Sequence, residues 1–145
     1  MGRRSAARPP AAPLACPSAP PEWEGARLIG VVEGTVERPD VRFVPPRPVT
    51  PEILALAEPV TPAEVFRFTA PCQEHACTHF RGGRCGVAKA VIEHVEPAPE
   101  AALPVCAIRG SCRWWEEQGP PACRRCRFVV TDDATRTGAF AAALT

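Results

Sequence analysis

The stretch Cys72-Gln73-Glu74-His75-Ala76-Cys77-Thr78-His79-Phe80-Arg81-Gly82-Gly83-Arg84-Cys85 decides how this chain is read. Its thiols, not its few apolar residues, are the candidates for holding it together. Downstream come Cys106, Cys112, Cys123 and Cys126, so seven cysteines fall between positions 72 and 126. That density belongs to small stapled scaffolds. The eighth, Cys16, stands alone near the start of the chain.

The rest of the composition explains why a staple is needed. The chain has 145 residues, the size of one domain. Hydrophobic residues make up 46%, yet 24 of them are Ala, and Leu, Ile, Val and Phe together number 30. That is close to the fraction, about a fifth, below which chains tend not to fold. Nineteen Pro and ten Gly break regular structure further. A small, weak aliphatic core needs a crosslink or a metal. Net charge is +1, which argues against nucleic acid and anionic membranes as partners. All the cations but Lys89 are Arg. No stretch approaches the ~18 apolar residues of a membrane span.

Disulfides would need export. The start, Met1-Gly2-Arg3-Arg4-Ser5-Ala6-Ala7-Arg8-Pro9-Pro10, has the charge of a signal peptide but no apolar h-region, because Arg8 and the prolines interrupt it. A cytoplasmic, reducing setting is therefore expected, and clustered cysteines there are metal ligands or catalytic thiols before they are disulfides.

Along the chain, residues 1–24 read as a disordered Pro/Ala-rich arm that contains Cys16, residues 25–131 as a single cysteine-rich metal-binding domain, and residues 132–145 as a disordered tail. Leu28–Val32 and Val41–Val44 are β-branched runs that predict a short β-hairpin or meander, with Pro39-Asp40 as turn residues. Thr50-Pro51-Glu52 and Thr61-Pro62-Ala63-Glu64 each place an N-cap before a Pro at the first helical position, and the second adds a capping-box Glu. Val65 and Phe66 are read into that helix or turn, and Phe66 and Phe68 as core. Val87, Val91 and Val95 with Ile92 predict a helix over Gly86–Val95. Ser111–Gln118 predicts another, capped by Ser111, ended by Gly119 and followed by Pro120-Pro121, with Glu116 and Glu117 outside. Phe128-Val129-Val130 reads as a final strand. The expected fold class is α+β: a small, loop-rich, metal-stapled domain with a short β-hairpin and a few short helices.

Seven clustered cysteines plus His79 make eight ligands, enough for two four-coordinate sites. The simplest partition gives Cys72, Cys77, His79 and Cys85 to one and Cys106, Cys112, Cys123 and Cys126 to the other. Interleaved sites, or one cluster with spare thiols, fit the spacing as well. Thiolates select zinc, copper(I) or iron–sulfur clusters. Cys123-Arg124-Arg125-Cys126 is the sole Cys-x2-Cys pair of the zinc-knuckle kind. The other gaps are irregular, which tilts the reading toward an iron–sulfur cluster of the 4Fe-4S kind, held by Cys106, Cys112, Cys123 and Cys126. The ferredoxin spacings are absent. Zinc is the alternative. Arg109, Arg113, Arg124, Arg125 and Arg127 crowd the second group; a solvated basic face is the plainer reading, and hydrogen bonds to sulfur the sharper one.

Other constellations carry less. Trp114-Trp115 reads as one ring in the core and one half exposed. His75 reads as a surface residue or a hydrogen-bond donor near the site, His94 as a last-turn residue where a cation suits the helix dipole, and Asp132-Asp133 as a solvated turn. Arg81-Gly82-Gly83-Arg84 is not a phosphate cradle, and no catalytic triad or nucleotide fingerprint appears. Cys123-x2-Cys126 as a thiol oxidoreductase motif would need a βαβ context that is not evident. No catalytic residue and no small-molecule substrate are expected.

Pro71-Cys72, Cys77-Thr78-His79-Phe80, Cys85, Cys106-Ala107-Ile108-Arg109, Cys112-Arg113-Trp114-Trp115 and Ala122-Cys123-Arg124-Arg125-Cys126 resemble a small bacterial cysteine-rich family loosely labelled "nitrogen fixation protein". Val49-Thr50-Pro51-Glu52 and Glu64-Val65-Phe66-Arg67-Phe68 fit it too, so the resemblance spans residues 28–131. Some members carry Cys-Pro-x-Cys near the N-terminus. Here Cys16-Pro17-Ser18-Ala19 keeps the first cysteine only, and Cys16 is given no role. The resemblance implies a metal-binding module and names no reaction. The expectation is an iron–sulfur protein for electron transfer, cluster carriage or redox sensing, working with a protein partner. The alternative is a zinc-stapled adaptor that docks through the Gly86–Val95 helix and the Trp pair.

Overall fold

The computed structural model describes residues 13–100 and 102–131. Within them the chain is α+β. Strands β1 (Ala15–Cys16), β2 (Arg27–Gly34), β3 (Pro39–Pro48) and β4 (Phe66–Pro71) form an antiparallel sheet in the order β1-β4-β2-β3. Helices α1 (Pro51–Ala55) and α2 (Pro62–Val65) lead into β4. A two-stranded ribbon, β5 (Phe80–Arg81) with β6 (Arg84–Cys85), then hands the chain to α3 (Gly86–His94). Two further helices, α4 (Arg113–Gln118) and α5 (Pro120–Cys126), complete the fold.

The hairpin forms, but its turn is Thr35–Arg38, closed by paired backbone hydrogen bonds and by the Thr35 hydroxyl accepting from the Arg38 N–H. Pro39 and Asp40 belong to β3, opposite Gly34 and Glu33. With Pro45, Pro46 and Pro48 the strand lacks donors, and it occupies the edge of the sheet, where ladder bonds are needed on one side only. Both helix-start signals hold: Thr50 Oγ1 accepts from Ile53 N, and Glu64 Oε2 accepts from Thr61 N.

Four expectations need correction. Residues 13–24 are no disordered arm. Ala15 and Cys16 pair with Pro71 and Ala70, the Ala19 N–H donates to Phe68 O at 3.0 Å, and Leu14, Pro17 and Ala19 are buried. The partners lie fifty residues away, which is why local composition misleads. Residues 1–12 and the expected tail at 132–145 lie outside the described residues. Phe66 opens β4 instead of extending the preceding helix; that strand is central, with Arg67, Phe68, Thr69 and Ala70 all buried. Gly119 ends α4 as read, but the helix that follows was not anticipated: Pro120 and Pro121 start α5, where a missing N–H costs no helical bond. Phe128–Val130 forms no strand, since Val129 turns back to Cys126 O and packs into the core.

The core joins Ile29 of the sheet to Ala88 and Val91 of α3, Trp114 of α4 and Ala122 of α5, with Ile108, Cys112 and Val129. Trp114 is 2% exposed and Trp115 half-buried, as the pair was read. The helix at Gly86 ends at His94 and turns Ala88 and Val91 fully inward, so its apolar face is spent on this chain's own core. The helix cap at Ser111 moves one residue on. Arg109–Ser111 is a single 3-10 turn and Cys112 is the N-cap of α4.

Candidate metal centre

The eight cysteines, none of them in a disulfide, divide into two sets of four. Cys16, Cys72, Cys77 and Cys85 line one cavity of about 460 Å³. Cys106, Cys112, Cys123 and Cys126 line a second, much narrower one of about 20 Å³. Trp114 forms a wall of both.

Backbone pairing builds the first set. Cys16 ends β1 opposite Ala70, and Cys72 follows β4 directly, its N–H donating to Leu14 O at 2.7 Å. The turn Glu74–Ala76 carries the chain round to Cys77. Cys85 closes the ribbon and caps α3, with its sulfur accepting from the Ala88 N–H. The ribbon lies flush on the helix because position 86 is glycine: a Cβ there would stand 2.7 Å from the His79 carbonyl oxygen, to which the Gly86 N–H donates. His79 also lines the cavity, which thus offers five candidate ligands, four of them thiols. Cys16 was missed because no residue near it in sequence signals a site. Its pairing with β4 supplies the signal.

Helix geometry builds the second set. Cys123 and Cys126 stand three apart on α5, hence on one face. Cys112 is at the N-terminus of α4, and Cys106 precedes the 3-10 turn. Ala15 forms a parallel bridge with Cys112, so the β1 segment separates the two sets. Cys16 faces the first cavity and Pro17 the second.

Burial governs the thiols. It pushes Cys16 and Cys112 up to about 12 and raises Cys85 and Cys123. Opposing it, Arg109 acts on Cys123 by hydrogen bonding and charge, and the backbone N–H groups of Ala88 and Val87 act on Cys85. Hydrogen bonding and charge from Cys72 act in turn on Arg113. Of the basic residues read around the second group, Arg109 acts on a sulfur of that group, while Arg113 pairs with Glu117 and Glu74. Arg124 and Arg125 instead donate to the carbonyls of Ala98, Val95 and Pro121, and Arg127 forks onto Asp40. Glu117 is not outside: its side chain is 7% exposed, accepts from the Cys85 N–H at 3.0 and 3.1 Å and pairs with Arg113 at 3.0 Å.

One further cation escaped the sequence reading. Arg67, 0% exposed, donates to Pro17 O, Cys126 O, Val129 O and, at 3.0 Å, to Cys126 Sγ. An Arg between two Phe in an apolar strand gives no local hint of this.

The cavities also hold unspent donors. Arg109 Nε, Arg113 Nε and Trp114 Nε1 are buried, make no conventional hydrogen bond, and belong to residues of the two cavity walls. Buried donors left unpaired cost about 1–3 kcal/mol each. An anionic group with several acceptor sulfurs in each cavity would pair them. Among the described residues no three His, Cys, Asp or Glu side chains are gathered closely enough for a single metal ion. The thiols are spread around the cavity walls instead, the arrangement that grips a wider group from several directions. No family model, curated protein or solved structure matches the chain.

Proposed function

We propose that this protein is a two-centre iron–sulfur protein, with one cluster of the 4Fe-4S kind at Cys16, Cys72, Cys77 and Cys85 and another at Cys106, Cys112, Cys123 and Cys126. The observation that carries the reading is the division of all eight cysteines into two sets of four, each lining its own cavity. Four thiolates around an oxidised four-iron cluster leave about −2 of charge at the site, and the unspent donors of Arg109, Arg113 and Trp114 suit such an anion. Bound there, a cluster supplies one-electron redox chemistry.

The chain's own residues do the rest. Cys112 and Trp114 are buried in the wall of the second cavity, and Arg109 acts on Cys123. The first set is held by β1, β4 and the ribbon, with Glu117 fixing the backbone at Cys85. Electron transfer to or from a protein partner in a reducing, cytoplasmic compartment is the role this arrangement suits, with cluster carriage and redox sensing beside it. The likeness to the family labelled "nitrogen fixation protein" is compatible with that role and specifies no reaction.

Protein purified without oxygen tests the reading. Sulfur-to-iron charge transfer gives brown colour and broad visible absorbance that bleaches with dithionite. A colourless preparation carrying zinc overturns it. A competing reading gives Cys106, Cys112, Cys123 and Cys126, around the narrow second cavity, a single zinc ion as a structural staple, for which the four thiols would have to draw closer together than they stand. Such an adaptor would have to dock elsewhere than on α3 and Trp114, which are spent on the core.

A further inference from the structure

We infer that Arg67 is a counter-charge shared by the two cysteine groups and sets how readily each accepts an electron. This rests on the iron–sulfur reading above and names the residue that tunes it.

The case begins with an uncompensated charge. Arg67 is fully buried at the centre of the sheet, and among the described residues no carboxylate pairs with it. Its acceptors are three carbonyls and one sulfur. Phe43 and Trp114 flank the guanidinium, with its carbon 5.7 and 6.0 Å from the ring centroids. Neutral acceptors satisfy the donors of a buried cation without neutralising it, and a buried charge lacking a counter-charge costs several kcal/mol. Every other arginine whose ion pair is described has a surface or half-buried carboxylate within reach.

Position supplies the missing anion. Arg67 Nη1 and Nη2 grip Cys126 through its carbonyl and its sulfur, in the second group. Nη2 and Nε converge on Pro17 O, the carbonyl of the residue that follows Cys16 of the first group. One guanidinium therefore touches a ligand of one group and the residue next to a ligand of the other. Reduction adds one electron to a centre from an external one-electron donor, makes or breaks no bond, and increases negative charge beside Arg67. A fixed cation at that point favours the reduced form of both centres. A hydrogen bond to the ligand sulfur favours it further at the second.

The test is redox titration of the anaerobic full-length protein, wild type against Arg67→Met and Arg67→Lys, with each centre followed by electron paramagnetic resonance. Methionine fills similar volume without charge, and such replacements of buried ions are often tolerated. Arg67→Met is expected to lower the reduction equilibrium constant of the second centre about tenfold, or ~59 mV more negative for a one-electron couple. The first centre shifts the same way by a smaller factor. Arg67→Lys keeps the charge but loses the fork, so the first centre stays near wild type while the second remains lowered. Both centres unmoved in Arg67→Met would overturn the inference while leaving iron in place. Wild-type protein without iron would overturn the underlying reading and the inference together. Should neither variant fold, guanidino-15N-arginine in the Arg109→Lys background decides by pulsed resonance. Nitrogen coupling at the second centre supports the assignment, and its absence contradicts it.

Discussion

Ala15 forms a parallel bridge with Cys112 while the next residue, Cys16, lies opposite Ala70. A two-residue strand is thereby wedged between the cysteine groups, with Cys16 on the first cavity and the following Pro17 on the second. Cys16 becomes a structural member of the first group. Replacing Cys16 with Ser is expected to remove about half of the bound iron, as loss of one of two clusters requires, and to leave the second centre's spectrum unchanged. Unaltered iron would return Cys16 to the role of a bystander.

Gly86 offers a separate handle on the same site. A Cβ at this position meets the His79 carbonyl oxygen at 2.7 Å, and that oxygen belongs to backbone. Gly86→Ala must lift the ribbon from α3, at a cost of about 1–3 kcal/mol, the usual range for overpacking. The midpoint of denaturant unfolding should fall, and iron at the first site should fall with it. Iron at the second site should not.

Trp114 is the wall common to both cavities and is 2% exposed. Truncating a buried aromatic to Ala costs about 3–5 kcal/mol. Trp114→Ala should therefore lower the unfolding midpoint more than Gly86→Ala and should speed loss of visible absorbance in air at both centres. Faster loss at one centre alone would mean the indole shields only that one.

How much of this was legible in the sequence depends on the range of the interactions. The hairpin strands, the capped starts at Thr50 and Thr61, and the Val87/Val91 helix are local patterns, and each appears where the pattern put it. The second cysteine group was equally legible, because Cys123-x2-Cys126 needs only one helical turn to converge. What the residues could not disclose was long-range. Cys16 joins the first group through pairing with a strand fifty residues on, and only the first residue of that strand, Phe66, had been read, into the preceding helix or turn. Arg67 becomes central only once β1 and α5 close over it. Glu117 looked solvent-facing on a helical wheel, yet the backbone of Cys85 needs its carboxylate. Proline at 120 and 121 reads as a stop or a start equally well, and Gly119 at φ 71° lets it be both.

Metal supplies folding energy in this account, because the aliphatic core is small and four-thiol sites rarely pre-exist in unfolded chains. Stripping the metal under reducing conditions should abolish cooperative thermal unfolding. A sharp transition in reduced protein verified to be metal-free would show that the sheet and helices stand without it.

The central claim, two cysteine groups each holding a cluster, is tested most directly by the stoichiometry of iron and acid-labile sulfide in protein purified without oxygen. Two four-iron clusters predict about eight of each per chain, in equal amounts. One or two zinc ions per chain with no sulfide would contradict the account.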